Sequence, residues 1–270
     1  MSRIAETFEG LADRHEGGLI AYVMGGDPSP AETGRIIDAL IKGGADIVEV
    51  GIPFSDPIAD GKSIQEAGVR ALAAGTRPAD VLEIVRSSRE RHRVPFVLMT
   101  YFNIFYSQGV ESFLAKVAES GADGVIIPDL PLDEVGSYAG LARARGLDMV
   151  LLASPTTTGD RMRVLVKNTS GFLYLVSLMG VTGARDKIGE DAPRLIRFAK
   201  KYSEGKVPLA VGFGISRPEH VSTVISAGAD AAIVGSGIVN IIERNRGESK
   251  VIPGKIEEYV RGLKGATTRH

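Results

Sequence analysis

GGADIVEVG (residues 43–51) returns in altered form as SGADGVIIP (residues 120–128) and as AGADAAIVG (residues 227–235). In each copy Gly-Ala-Asp stands before a short apolar run, the pattern of a helix that ends at glycine and hands over to a strand. Further apolar runs lie around these copies. The full set is 19–24, 47–50, 95–99, 124–127, 148–152, 172–176, 207–211 and 231–234. The runs are near-continuously apolar rather than alternating, as expected of parallel strands buried on both faces. Helical spacing fills most of the gaps. Ile36, Ile37, Leu40 and Ile41 share a face behind Ser29 and Pro30, a helix-start pair. Phe113, Leu114 and Val117 form a second such face, and Val221, Val224 and Ile225 a third. Eight strand-then-helix units in about 250 residues predict a (β/α)8, or TIM, barrel. An open doubly wound sheet is the competing architecture. The absence of a linker and of GxGxxG after the first strand favours the barrel.

No Pro/Ser-rich linker divides the chain, so residues 1–270 read as one domain. Ile4, Phe8 and Leu11 lie on one helical face, and a helix over residues 1–15 is expected to cover the barrel bottom. Residues 243–251 read as a polar insertion, and 266–270 as a frayed tail. The basic cluster Arg86, Arg89, Arg91 and Arg93 reads as a solvated helix end.

Composition narrows the function. The net charge is −1, which suggests neither a nucleic-acid nor an anionic-membrane partner. The absence of cysteine excludes disulfides, thiolate metal sites and cysteine nucleophiles, and fits a cytoplasmic protein. No apolar stretch approaches the ~20 residues that cross a bilayer.

Chemistry concentrates in VEVGIPFSDPIADG (residues 48–61). Glu49 interrupts Ile47, Val48, Val50 and Ile52, all residues that favour burial. A buried carboxylate must be paired, hydrogen-bonded or protonated, and a shifted pKa serves proton transfer. Asp60 follows on a loop stiffened by Pro53 and Pro57, so the two carboxylates can face one substrate. Asp56 reads as a surface-loop residue.

Barrel sites lie at the C-terminal strand ends. GFGIS (residues 212–216) follows the seventh run and GSGIV (residues 235–239) the eighth. Exposed backbone N–H groups before a helix start make an anion site there. SLMGVTGARDK (residues 177–187) fits a lid. Tyr22, Tyr101, Tyr174 and Phe213 fall near strand ends and are candidates for an apolar pocket. None of His15, His92, His220 and His270 falls at such an end, and neither HExxH nor a metal cluster is present. The absence of a strand-end lysine disfavours Schiff-base aldol chemistry, and the absence of a metal cluster disfavours metal-assisted aldol chemistry. What is left is acid–base chemistry on a phosphorylated substrate with an apolar body.

VEVGIPFSDPIADG, LMTYFNIFY, IIPDLP, YLVSLMGVTGAR, GFGIS and GSGIV together resemble the family of tryptophan synthase alpha subunits, in order and spacing from about residue 18 to 242. The resemblance implies a lyase that cleaves indole-3-glycerol phosphate to indole and glyceraldehyde 3-phosphate. It implies Glu49 as the acid–base residue and Asp60 as the carboxylate on the ring N–H. It also implies a phosphate site at Gly183, Gly214, Gly235 and Ser236. Tyr22, Tyr174, Thr182 and Phe213 match the indole pocket and lid contacts, with Tyr101 among the substrate contacts. Asp56 matches a loop facing a partner. That partner is the beta subunit of an α2β2 assembly. It carries pyridoxal phosphate, so no cofactor is expected on this chain. Loops 53–57, 101–105 and 128–133 are the expected interface. Tyr22 stands where phenylalanine is usual, and Leu178 and Met179 are apolar where the lid is often polar or small. Two other readings compete: a chain that mainly activates the beta subunit, and a phosphosugar isomerase on the same fold.

Overall fold

The computed structural model describes residues 1–176, 191–212 and 214–268. Eight strands alternate with helices: β1 (Gly18–Met24), β2 (Ile47–Gly51), β3 (Phe96–Met99), β4 (Gly124–Ile126), β5 (Asp148–Ala153), β6 (Leu173–Val176), β7 (Leu209–Gly212) and β8 (Ala231–Val234). All pair in parallel in chain order, and β8 pairs back to β1, closing the barrel. The helices are α1 (Arg3–Asp13), α2 (Pro30–Lys42), α3 (Lys62–Ala73), α4 (Pro78–Arg91), α5 (Phe102–Gln108), α6 (Val110–Glu119), α7 (Val135–Arg143), α8 (Gly159–Asn168), α9 (Asp191–Ser203), α10 (Pro218–Ser226), α11 (Ser236–Arg244) and α12 (Ile252–Lys264).

The apolar runs conceal a period of two. Leu19, Ala21, Val23, Val48 and Val50 pack outward against the helix layer. Ile20, Ile47, Val97, Ile126, Val150 and Phe172 point inward, where Ile4, Phe8 and Leu11 of α1 close the barrel from below. Ser2 caps α1, its hydroxyl accepting from the Ala5 N–H at 3.3 Å. β3 and β7 begin one or two residues later than their apolar runs. Pro95 and Pro208 have no N–H for the ladder, and they serve instead as acceptors, for Val48 N–H and Leu173 N–H.

The Gly-Ala-Asp repeat has a physical cause. Asp46 donates its backbone N–H to the Leu19 carbonyl, and its Oδ2 accepts the Leu19 N–H at 2.7 Å. Asp123 holds Phe96 in the same two-point grip, with Oδ2 at 2.8 Å, and Asp230 holds Leu209 at 2.9 Å. Each aspartate thus fixes the start of the strand before its own.

Two expectations are corrected. Arg89 is not solvated. Its guanidinium reaches Asp123, which also accepts from Arg3, and it lies 4.7 Å from the Phe96 ring centroid. Residues 266–268 do not fray. The Thr267 carbonyl accepts the Gly17 N–H at 2.8 Å, Thr267 is buried, and Thr268 pairs with Glu16. The polar stretch before α12 forms a 3₁₀ turn, Arg246–Val251, with Glu243 and Arg244 still in α11. Among the described residues no helix is long and apolar enough to cross a membrane.

Candidate active site

Period two turns Glu49 inward, one position above Ile47 on β2 and level with Tyr22 of β1 in the strand register. It is the third of five strand residues rather than the last, so it sits inside the barrel and not at its rim. Tyr174, second of four in β6, also sits deeper than expected. Glycines make that depth possible. A Cβ on Gly51 would lie 2.2 Å from the Tyr22 hydroxyl, and one on Gly212 would lie 2.3 Å from the Tyr174 hydroxyl. Each ring takes the place its neighbouring strand leaves empty.

Glu49 is 1% exposed, and its Oε2 has no hydrogen-bond partner among the described residues. Burial, reinforced by the Asp60 carboxylate, pushes it up to about 8. Asp60 is half-buried on the loop after β2. Burial lifts it to about 6, against a hydrogen bond from the Tyr101 hydroxyl that favours its ionised form. Near neutral pH, then, one carboxyl holds its proton and its neighbour does not. The same burial raises the Tyr22 and Tyr174 phenols well above the usual tyrosine range, so both stay protonated.

Tyr101 organises the loop that carries Asp60. Its hydroxyl accepts the Ala59 N–H at 2.9 Å, and its ring stacks on Phe54 with centroids 5.2 Å apart. Tyr22, Met24, Ile52, Phe54, Asp60, Met99, Thr100 and Tyr101 are among the residues lining a narrow pocket, partly open to solvent. Asp56 lies outside this pocket. It is exposed and accepts from the Ser55 hydroxyl.

The glycine loops after β7 and β8 flank the same mouth. Gly214 has φ +83°, in the region that favours glycine. Gly235 packs so closely on β1 that a Cβ there would lie 3.3 Å from the Tyr22 Cβ. It precedes α11 with no side-chain cap, so the first N–H groups of that helix, beginning at Ser236, are open to an anion. Thr182, Gly183, Phe213 and the 177–187 segment, with Leu178 and Met179, lie outside the described residues. Among the described residues no cluster of His, Cys, Asp and Glu is suited to a metal.

Sequence reading missed the supports. Asp27, fully buried after β1, takes a two-point ion pair from Arg70 of α3 at 2.8 and 2.7 Å. Arg70 also lies 2.5 Å from Glu243 of α11, a close charge contact without a directed hydrogen bond. One guanidinium therefore ties the helix after Asp60 to the helix of the glycine loop. Tyr259 of α12 donates to the Ser216 carbonyl at 2.7 Å, and a Cβ on Gly237 would collide with that phenol. His220 is buried, its Nδ1 accepting the Ser216 N–H at 3.4 Å, which is a helix-start role. No spacing rule links positions so far apart.

The comparisons with known proteins agree with this fold. The sequence model for "Tryptophan synthase alpha chain" matches residues 8–268. The tryptophan synthase alpha chain of Methanosarcina barkeri is 43% identical over 265 residues, covering 98% of this chain and 98% of its own length. That of Carboxydothermus hydrogenoformans is 44% identical, covering 99% of this chain and all of its own. Among solved structures, a mutant tryptophan synthase alpha-subunit from the hyperthermophile Pyrococcus furiosus superposes with a TM-score of 0.86 at 40% identity, over 93% of this chain and 99% of that one. A chain from a tryptophan synthase complex of the same organism gives 0.84 at 39% identity, over the same shares. The inward carboxylate, the loop carboxylate and the paired glycine loops all lie within the matched span, and the chain belongs to the tryptophan synthase alpha chain family.

Proposed function

We propose that this barrel is a carbon–carbon lyase of tryptophan biosynthesis that cleaves indole-3-glycerol phosphate to indole and glyceraldehyde 3-phosphate. One observation carries the reading: a fully buried carboxyl whose Oε2 has no hydrogen-bond partner among the described residues, pushed up to about 8, beside a second carboxyl at about 6 in the same site. The reaction needs that division. Ring carbon 3 gains a proton from Glu49, and the positive charge that develops at the ring nitrogen is met by ionised Asp60 on the N–H. The bond from carbon 3 to the side chain then breaks, its electrons restoring the aromatic ring. The neighbouring hydroxyl loses its proton to Glu49 and becomes the aldehyde. One proton enters and one leaves, so Glu49 returns to its starting state. Tyr22, Tyr101, Tyr174 and Phe213 hold the ring. Gly183, Gly214, Gly235 and Ser236 hold the phosphate through backbone N–H groups, and Thr182 belongs to the lid.

The proposed partner is a beta subunit in an α2β2 assembly, with pyridoxal phosphate on that subunit and none on this chain. Ile58 on the loop after β2, at 83% exposure, and Tyr106 on α5, at 72%, support a partner on this side of the chain, being large apolar side chains left in water. The companion reading, a chain that mainly activates the beta subunit, rests on the same exposed residues.

Indole release from indole-3-glycerol phosphate tests both. The isolated chain should form indole, and Glu49→Gln should abolish this while phosphate-ligand binding stays nearly intact. Retained activity in the variant overturns the role of Glu49. Activity only when a beta subunit is added selects the companion reading. With both carboxyls acting, kcat/KM should rise near pH 6 and fall near pH 8.

A further inference from the structure

The pocket contains one hydroxyl that the protein itself scarcely uses. The Tyr22 phenol is 5% exposed, and its one hydrogen-bond partner among the described residues is the Met24 sulfur, at 3.8 Å. A thioether is a weak acceptor. Two polar groups of the same pocket are occupied. The Tyr101 hydroxyl serves Ala59 and Asp60, and Thr100 donates to the Ile52 carbonyl at 3.3 Å. Apart from Asp60, the rest of the wall is apolar, with Met24, Ile52, Phe54, Ile64 and Met99 as its large side chains. The phenol already sits against β2, its oxygen 2.2 Å from where a Cβ on Gly51 would stand. A buried donor at the wall of an apolar aromatic pocket favours a ring that offers it an acceptor over one that does not.

Building on the lyase reading, we infer that the Tyr22 hydroxyl sets substrate range: it bonds a polar atom on the aromatic body of the ligand, so that the site takes hydroxy- and aza-substituted indole rings. Asp60 anchors the ring N–H, and Tyr22 reads a second position on the same ring. A phenylalanine at this position lacks that second point.

The test is condensation, the reverse reaction, in which glyceraldehyde 3-phosphate is joined to indole, to each hydroxyindole or to each azaindole. The quantity read is kcat/KM for the best polar ring divided by kcat/KM for indole. Tyr22→Phe should lower this ratio about five- to tenfold, the discrimination one net hydrogen bond supports. Met24→Leu removes the competing sulfur and should raise it. An unchanged ratio in Tyr22→Phe for every ring overturns the inference. If Tyr22→Phe fails to fold, Met24→Leu decides alone, and a ratio that does not rise overturns it. Failure of the wild-type chain to condense indole itself overturns the lyase reading instead. In that case dissociation constants of the same rings, measured by calorimetry on wild type and both variants, give the ratio without turnover.

Discussion

The two ends of this barrel use carboxylates in opposite ways. At the bottom Asp46, Asp123 and Asp230 each accept a strand N–H, and the first two also meet Lys264 and the Arg3–Arg89 pair. Three residues after Asp46, Glu49 of β2 is more deeply buried, and its Oε2 has no partner among the described residues. All four are carboxylates, and what separates them is whether the protein satisfies their oxygens. A carboxylate whose oxygens are filled by the protein holds the fold. One whose oxygens are left open stores unfavourable free energy that a substrate can relieve.

The sharpest way to break this contrast is Glu49→Gln. Activity should fall about 10²–10⁴-fold, the usual worth of a positioned acid–base group, while stability should change in the other direction. The folded chain holds the Glu49 proton up to about pH 8, and the unfolded chain releases it near the ordinary value of 4.5. Below that value both states are protonated. Between the two values only the folded state keeps the proton, so stability falls as pH rises, by as much as about 5 kcal/mol at pH 8. Urea denaturation at pH 5 and pH 8.5 should show this slope in the wild type and a flatter one in the variant. Equal slopes remove Glu49 from the category of unsatisfied groups.

Asp123→Ala is the converse test. It orphans the Phe96 N–H and leaves Arg89 facing the protein without its anion, which costs about 3–5 kcal/mol. The denaturant midpoint should drop sharply, while the turnover of the molecules that stay folded is unaltered. A loss of turnover without loss of stability would erase the division between the ends. The smallest effect comes from truncation after residue 265. It removes the Thr267 carbonyl that accepts the Gly17 N–H and the bridge to Glu16, for about 1–2 kcal/mol. Thermal unfolding measures it, and an unchanged midpoint would return these residues to the frayed tail the sequence suggested.

The barrel was legible because its repeat is local: helix end, glycine, aspartate and apolar run all fit in nine residues. Glu49 was legible for the same reason, as the one charge in an apolar run. Its depth was not. A fully buried strand shows no alternation in hydrophobicity, so the inward and outward faces of β2 and β6 emerge only from packing. The Asp27–Arg70–Glu243 link was hidden as well, since its members come from three separate elements and each taken alone resembles an ordinary surface charge. Pro95 and Pro208 were in plain view, and their missing N–H groups account for the late starts of β3 and β7.

The pairing of β8 with β1 has a consequence for the order of assembly. β1 leaves the ribosome well before β8, so one of its edges has no partner until Ala231–Val234 has been made. Likewise α1 presents Ile4 and Phe8 long before Phe172 and Ile233 exist to receive them. The floor of the barrel is thus held open through most of synthesis. Contacts of such long sequence separation slow folding, and the docking of α1 should report that the ring has closed.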